Sequence, residues 1–193
     1  MDRVPKRLWL VGQSIYLVPD AIAANAGACG IVSDVSLSGL TAGALTIAAQ
    51  PDYPRNLRIF ITDANTSLEG AVVTITGKNA RGEVIVEAVT FTVGGTQNKY
   101  TSNAFAKVTS AVITTTGTVT ATDDKVAIGI GNKLGLFLPP GAILDSIIKC
   151  TYDEADEDGT VDLTYGTYLP AGTLDASDQV EVSYLYSVAI DSF

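Results

Sequence analysis

Along most of this chain apolar residues recur at every second position. In Leu57-Arg58-Ile59-Phe60-Ile61-Thr62 the residues Leu57, Ile59 and Ile61 fall on one side, which is the period of a half-buried strand. Residues 71–76 (AVVTIT) and 84–93 (VIVEAVTFTV) are dense in β-branched side chains, which suit a pleated surface. Between them, Gly77-Lys78-Asn79-Ala80-Arg81-Gly82 has glycine at both ends and asparagine inside, the chemistry of a hairpin loop. Residues 104–115, 118–122 and 125–130 extend the pattern, with turns at Gly117 and Asp123-Asp124. The threonine-rich stretch 114–122 alternates with valine and reads as an exposed strand. After Leu138-Pro139-Pro140-Gly141 three more strands are expected, at 143–152, 160–168 and 179–186, joined by turn-rich connections. In the last of these Val180, Val182, Tyr184 and Tyr186 share a face. No segment carries a helical stripe of ordinary length, and no fixed repeat is present.

The first fifty residues read differently. Residues 21–49 are rich in Ala, Gly and Ser, and glycines at 27, 30, 39 and 43 oppose a long helix. Short strands at 30–35 and 44–48 fit better. Pro51 and Pro54 fix φ and remove two backbone donors, so no ladder is expected to cross this point. The expected organisation is an extended N-terminal arm over residues 1–50 and a domain over 51–193. The main strands of that domain occupy 51–137 and acidic C-terminal strands occupy 138–193. Many short strands with a turn about every 8 to 12 residues indicate an all-β fold, an antiparallel β-sandwich or barrel-like domain.

Composition narrows the chemistry. The chain has 193 residues, enough for one domain with its own core. Histidine is absent, which removes the commonest general base and the commonest metal ligand. Two cysteines, Cys29 and Cys150, are too few for a zinc cluster or a disulfide scaffold. They are either two buried thiols or one bridge, and spacing leaves both open. Net charge is −9, which argues against a nucleic-acid binder working through a basic surface. Residues 1–142 carry 11 basic and 10 acidic side chains, whereas residues 143–193 carry 1 basic and 11 acidic. The C-terminal quarter is therefore either a solvated acidic face or a surface for a basic partner. Near the N-terminus Arg3, Lys6 and Arg7 precede an apolar run that stops at Gly12, short of a signal peptide's core. No apolar run approaches the length of a membrane span, so no membrane contact is expected.

The motifs that suggest catalysis fail on inspection. Gly129-Ile130-Gly131-Asn132-Lys133-Leu134-Gly135 has its third glycine one residue late for a dinucleotide loop, and the following Leu-Phe-Leu-Pro-Pro cannot open a helix; a strand-ending turn is expected there. Gly77-Lys78 lacks the rest of a phosphate-binding loop. Glu154-Ala155-Asp156-Glu157-Asp158-Gly159 places oxygen ligands at alternate positions before a glycine, like the front of a calcium loop. Its first ligand is Glu, its twelfth position is Tyr165, and its flanks are strands; the other reading is a solvated hairpin tip. Glu83 and Glu87 share a strand face and read as surface residues rather than a hydrolytic pair. Tyr165, Tyr168, Tyr184 and Tyr186 read as core and cross-strand packing. No catalytic residue, metal site or cofactor is expected.

One likeness adds a function. The opening QPDYPRNLRIFITDA, the hairpin VVTITGKNARGEVIVEAVTF, the segment NAFAKVTSAVI and the closing VAIGIGNKLGL lie within residues 50–135. This run resembles a family of tailed-bacteriophage structural proteins described as head decoration or virion-associated. The downstream hairpin and VEVSYLY also resemble that group. The resemblance implies a non-enzymatic β-sandwich bound to the capsid surface of the virion, with the major capsid protein as partner. Such a cement protein gains from a homotrimer seated on local threefold axes, and from an arm that pairs with a neighbour's sheet edge. The apolar cluster Leu8, Trp9, Leu10, Ile15, Tyr16 and Leu17 is then the candidate partner contact. The alternatives are a tail, neck or head-fibre component and, from another class, a carbohydrate-binding module using Trp9 and tyrosines as stacking platforms.

Overall fold

Among the described residues the alternating segments form strands. The computed structural model describes residues 6–16, 30–37, 42–63, 66–114, 124–138, 143–152, 155–171 and 179–189. Among these there is no helix, and fourteen strands follow in order. The first nine are β1 (Lys6–Tyr16), β2 (Val32–Ser36), β3 (Ala42–Leu45), β4 (Arg55–Thr62), β5 (Val72–Lys78), β6 (Val84–Thr90), β7 (Gln97–Phe105), β8 (Lys107–Thr114) and β9 (Lys125–Gly135). The last five are β10 (Ile143–Tyr152), β11 (Ala155–Asp156), β12 (Thr160–Asp162), β13 (Thr167–Leu169) and β14 (Gln179–Ala189). The fold is all-β, with antiparallel sheets curled into half-barrels.

Three sheets result. One runs β3-β8-β5-β6, a second β12-β13-β9-β4-β7, and a third β1-β14-β10-β11. β2 also pairs with β9, on the edge that β13 uses further along the strand. The first two sheets face each other across a core of Leu57, Ile59 and Ile61 from β4, Val73 and Ile75 from β5, and Ile113 from β8. A second core lies under the third sheet, where Val180, Val182 and Tyr184 of β14 meet Leu134, Leu136, Leu144 and Tyr168. β9 serves both cores, Val126 and Ile128 in the first and Leu134 in the second. Of the expected arm, three strands are described. β1 lies along β14 in eleven consecutive register pairs, β2 lies on β9 and β3 on β8. Ile31, Val32, Leu37 and Leu45 are buried in the first core.

The structure departs from the sequence expectation at several places; the expected strand 104–115, for one, is divided at Ala106 between β7 and β8. The polar residues on both faces of Gln97-Asn98-Lys99-Tyr100 gave no strand signal for β7; among the described residues it pairs only with β4, and it stays half-exposed. The expected strand 160–168 is a hairpin: β12 and β13 flank a turn in which Asp162 Oδ1 accepts the Thr164 and Tyr165 amides. Gly166 there adopts φ 61°, a conformation that favours glycine. Another departure is the glycine-rich run 129–135, which forms strand rather than a turn. β9 continues through it to Gly135. Residues 115–123, including the expected strand 118–122, lie outside the described residues.

Space explains Gly131 of β9. β4 carries register shifts against both neighbours, between Arg55 and Leu57 on the β9 side and between Asn56 and Arg58 on the β7 side. A bulge of this kind leaves ladder groups to be satisfied by other partners. Arg55 Nε donates to the Gly131 carbonyl at 2.7 Å, Asn56 Oδ1 accepts the Lys133 amide at 2.9 Å, and Thr101 Oγ1 accepts the Leu57 amide at 2.8 Å. A Cβ on Gly131 would overlap the Asn56 carboxamide and press on the Tyr100 ring. Gly131→Ala should therefore cost about 1–3 kcal/mol, the range for overpacking a filled site. The cost should shrink in an Asn56→Ala background, where the overlapping amide is gone. Urea midpoints of the four proteins in that double-mutant cycle test this, and equal costs in both backgrounds would refute the steric explanation.

Candidate functional site

Two places bring polar chemistry together. The first is a shallow pocket of about 210 Å³ lined by Ile147, Lys149, Cys150, Glu157, Asp158, Gly159, Val161 and Tyr168. It forms because β11 turns back on β10 and the chain then crosses over β13. The Tyr168 hydroxyl donates to Glu157 Oε1 at 2.9 Å and accepts the Gly159 amide at 3.1 Å. The second carboxylate oxygen of Glu157 accepts the Ala171 amide at 2.8 Å. Asp156 pairs with Lys149 at 3.4 Å on the exposed side. Gly159, which suggested a calcium loop, instead leaves room for the Tyr168 ring, since a Cβ there would overlap the phenol. Glu157, which lies between the alternate ligand positions of that loop, has both oxygens engaged by protein donors, and Glu154, its first ligand, lies outside the described residues.

The thiol and phenol of this pocket are held neutral. Burial raises the Cys150 thiol above its usual range, and the charges of Glu157 and Asp158 add to the rise against an opposing hydrogen bond from Tyr168. Burial also raises Tyr168 far above the usual tyrosine value, reinforced by its bonds to Cys150 and Glu157. A thiol in this state is a packing group rather than a nucleophile. Cys150 carries a free thiol, and Cys29 lies outside the described residues. The buried acids Asp63 and Asp124 form a second acidic region. Asp63 accepts the amides of Ser67, Leu68 and Gly95, and Ser67 Oγ donates to Asp124. Thr66, at φ 61°, is held in this turn in a conformation unusual for a β-branched residue. Among the described residues no group of three or more His, Cys, Asp or Glu is placed to hold a metal.

The second place is the set of sheet edges. β6 and β7 are edge strands of facing sheets, and side chains seal the gap between them. Glu87 of β6 accepts the Ser102 and Asn103 amides at 2.6 and 3.0 Å and the Asn103 carboxamide at 2.8 Å. From the other side, Lys99 of β7 donates to the Thr90 carbonyl at 2.5 Å. Glu87 is thus a clip between sheets, not the surface residue that its alternation suggested. Glu83 sits apart from it, in the β5–β6 turn with Asn79 and Arg81. The signal for Glu87 was faint: an acid facing inward on a strand, with its partners in an unanticipated strand.

The other edges differ in length. β3, β11 and β12 are two to four residues long. β1 is eleven residues long, and among the described residues it pairs only with β14. Five of the six candidate contact residues are on it. Leu8, Trp9 and Leu10 stand opposite Ser187, Tyr186 and Leu185, while Ile15 and Tyr16 stand opposite Val180 and Gln179. Leu17 lies outside the described residues. Tyr168 and Tyr184 are core residues, and Tyr165 is exposed in the β12–β13 turn.

No family model matches the chain, and no curated protein or solved structure is significantly similar to it.

Two outcomes follow from these groups. Glu87→Ala leaves the Ser102 and Asn103 amides without their acceptor, so their hydrogen exchange should accelerate and stability should fall by about 1–3 kcal/mol. Exchange mass spectrometry of the 97–105 segment reads this, and unchanged protection would mean that the clip is unimportant. Tyr184 donates to the Phe137 carbonyl at 2.7 Å, and burial together with Tyr186 pushes its pKa up to about 12. Below about pH 10, the unfolded value, both states keep this proton and the stabilisation is complete. Above it the unfolded chain releases a proton that the fold retains, so stability falls as pH rises towards 12. Denaturation midpoints above pH 10 should fall less steeply for Tyr184→Phe than for the parent, and parallel slopes would contradict the assignment.

Proposed function

We propose that this chain is a non-enzymatic structural protein of a tailed-bacteriophage virion, a capsid decoration protein that binds the assembled head. It would act through buried interface rather than chemistry, with the major capsid protein as its partner and the capsid surface as its location. The observation that carries this reading is β1. Glu87 and Lys99 clip β6 to β7, whereas an eleven-residue strand, rich in large apolar residues, lies at one margin of the third sheet; at the other margin β11 covers β10 only at Thr151 and Tyr152. Natural β proteins blunt such edges, because an open row of backbone donors and acceptors invites another strand. Strand addition at an edge supplies backbone hydrogen bonds, and flanking apolar residues supply burial. The likeness of residues 50–135 to virion-associated proteins supports the identity of the particle, and the engaged or neutral groups of the pocket suit a structural role.

Co-sedimentation of the purified chain with heads tests the proposal. The parent should bind at many tens to hundreds of copies per head. Deletion of residues 2–18 should reduce occupancy by about tenfold or more, as loss of a principal contact would. The double substitution Leu8→Asp/Leu10→Asp, in a chain whose circular dichroism remains that of a β protein, should do the same. Binding of about a dozen copies would indicate a neck or tail component instead. Unchanged occupancy in both variants would exclude β1 as the contact.

A further inference from the structure

The outward face of the sheet β3-β8-β5-β6 carries no acidic side chain. Inward positions such as Val73, Ile75, Ala111 and Ile113 fill the first core, so the alternate residues face away from it. The register aligns them in cross-strand rows, of which Ala44–Val112–Thr74–Ala88 crosses all four strands. Val84 and Val86 on β6 are 70% and 61% exposed, among the most exposed large apolar residues described. The other outward positions are Ala, Val, Ser and Thr, apart from Lys78 and Lys107, which pair at one end of the sheet. Exposed sheet faces ordinarily alternate apolar-in with charged or strongly polar-out. Here four strands present small and β-branched side chains and a positive end, in a chain with a net charge of −9.

We propose that this face is where two copies of the chain meet, sheet against sheet. Charge selects the occupant. Two copies repel chiefly through residues 143–193, which carry 11 acidic and 1 basic side chains, and a like-charged contact is costly. An acid-free face is where that penalty is smallest. Stacking about a twofold axis with the strands running oppositely places the lysine end of one copy over the uncharged end of the other. Parallel stacking would bring four lysines together. Aligned or orthogonal stacking of β-sheets at about 10 Å is a standard packing, and Val, Thr and Ala interdigitate at that distance. The contact has a definite size. Four strands at about 4.8 Å and seven residues at about 3.4 Å give roughly 450 Å² per copy. That is about half of what each partner buries in a stable complex, so the pair should be weak and concentration-dependent in solution. The contact is twofold, unlike the threefold association that the phage likeness implies, and it does not depend on the proposed function.

Sedimentation velocity of the full chain over a wide concentration series tests it. The parent should shift from monomer towards dimer as concentration rises. Val86→Glu, at an exposed position that burial does not constrain, should weaken association by about tenfold or more, and mixing Val86→Glu with Val86→Lys should recover it. Val93→Glu introduces the same charge at a residue 63% exposed but outside these four strands, and should leave association unchanged. A parent that stays monomeric throughout would overturn the proposal. So would association indifferent to Val86→Glu, or equally weakened by Val93→Glu. Loss of head binding in Val86→Glu, with a monomeric parent, would also overturn it and assign the face to the particle.

Discussion

Arg55 is wholly buried, and its guanidinium Nε donates to the Gly131 carbonyl in the middle of β9; both cores depend on this join. β9 contributes to the sandwich at one end and to the core beneath the third sheet at the other. Were β4 a regular strand, its ladder to β9 would need no side chains. Because β4 is bulged on both edges, Arg55, Asn56 and Thr101 replace the lost pairing. A salt bridge from Arg55 Nη1 to Asp52 at 3.4 Å ties the same cation to the turn that enters the strand. Removing one partner from a buried charged bond of this kind costs far more than an exposed ion pair contributes. The Pro-Arg-Asn sequence is thus explained by geometry: Pro54 ends the preceding segment, Arg55 and Asn56 fill the bulge, and Gly131 leaves room for Asn56.

The same economy governs the surface. A sandwich of two open sheets has edges that must be closed or used. Glu87 and Lys99 close the gap between β6 and β7, each reaching from its own strand to the backbone of the other. The third sheet is treated differently, because its outer strand is the long β1. Buried polar and ionisable groups near β13 are consumed in holding the β11–β12 crossover, where Tyr168 links Glu157, Gly159 and Cys150. What these groups leave at the surface are backbone edges and flat sheet faces.

Much of the fold was legible in the alternation. Leu57, Ile59 and Ile61 are fully or almost fully buried, as their period required, and β10 has the bounds that the sequence suggested. Val180, Val182 and Tyr184 likewise face the second core. What escaped was whatever depends on a neighbour. β7 has no apolar face of its own and exists because β4 offers an edge. The run 129–135 resembled a turn because glycine ordinarily signals one, but here glycine records the approach of Asn56. Glu87 resembled a surface acid because its hydrogen-bonding partners belong to β7. Period-two patterning reports burial on one strand; it carries no information on which side chains of another strand replace a broken ladder.

A reconstruction of the assembled particle at side-chain resolution would test the central claim most directly. The account predicts density for this β-sandwich at many equivalent positions on the head surface, with β1 against a strand or apolar surface of the shell. Its absence from the head, or its presence only in a ring at the neck or tail, would contradict it.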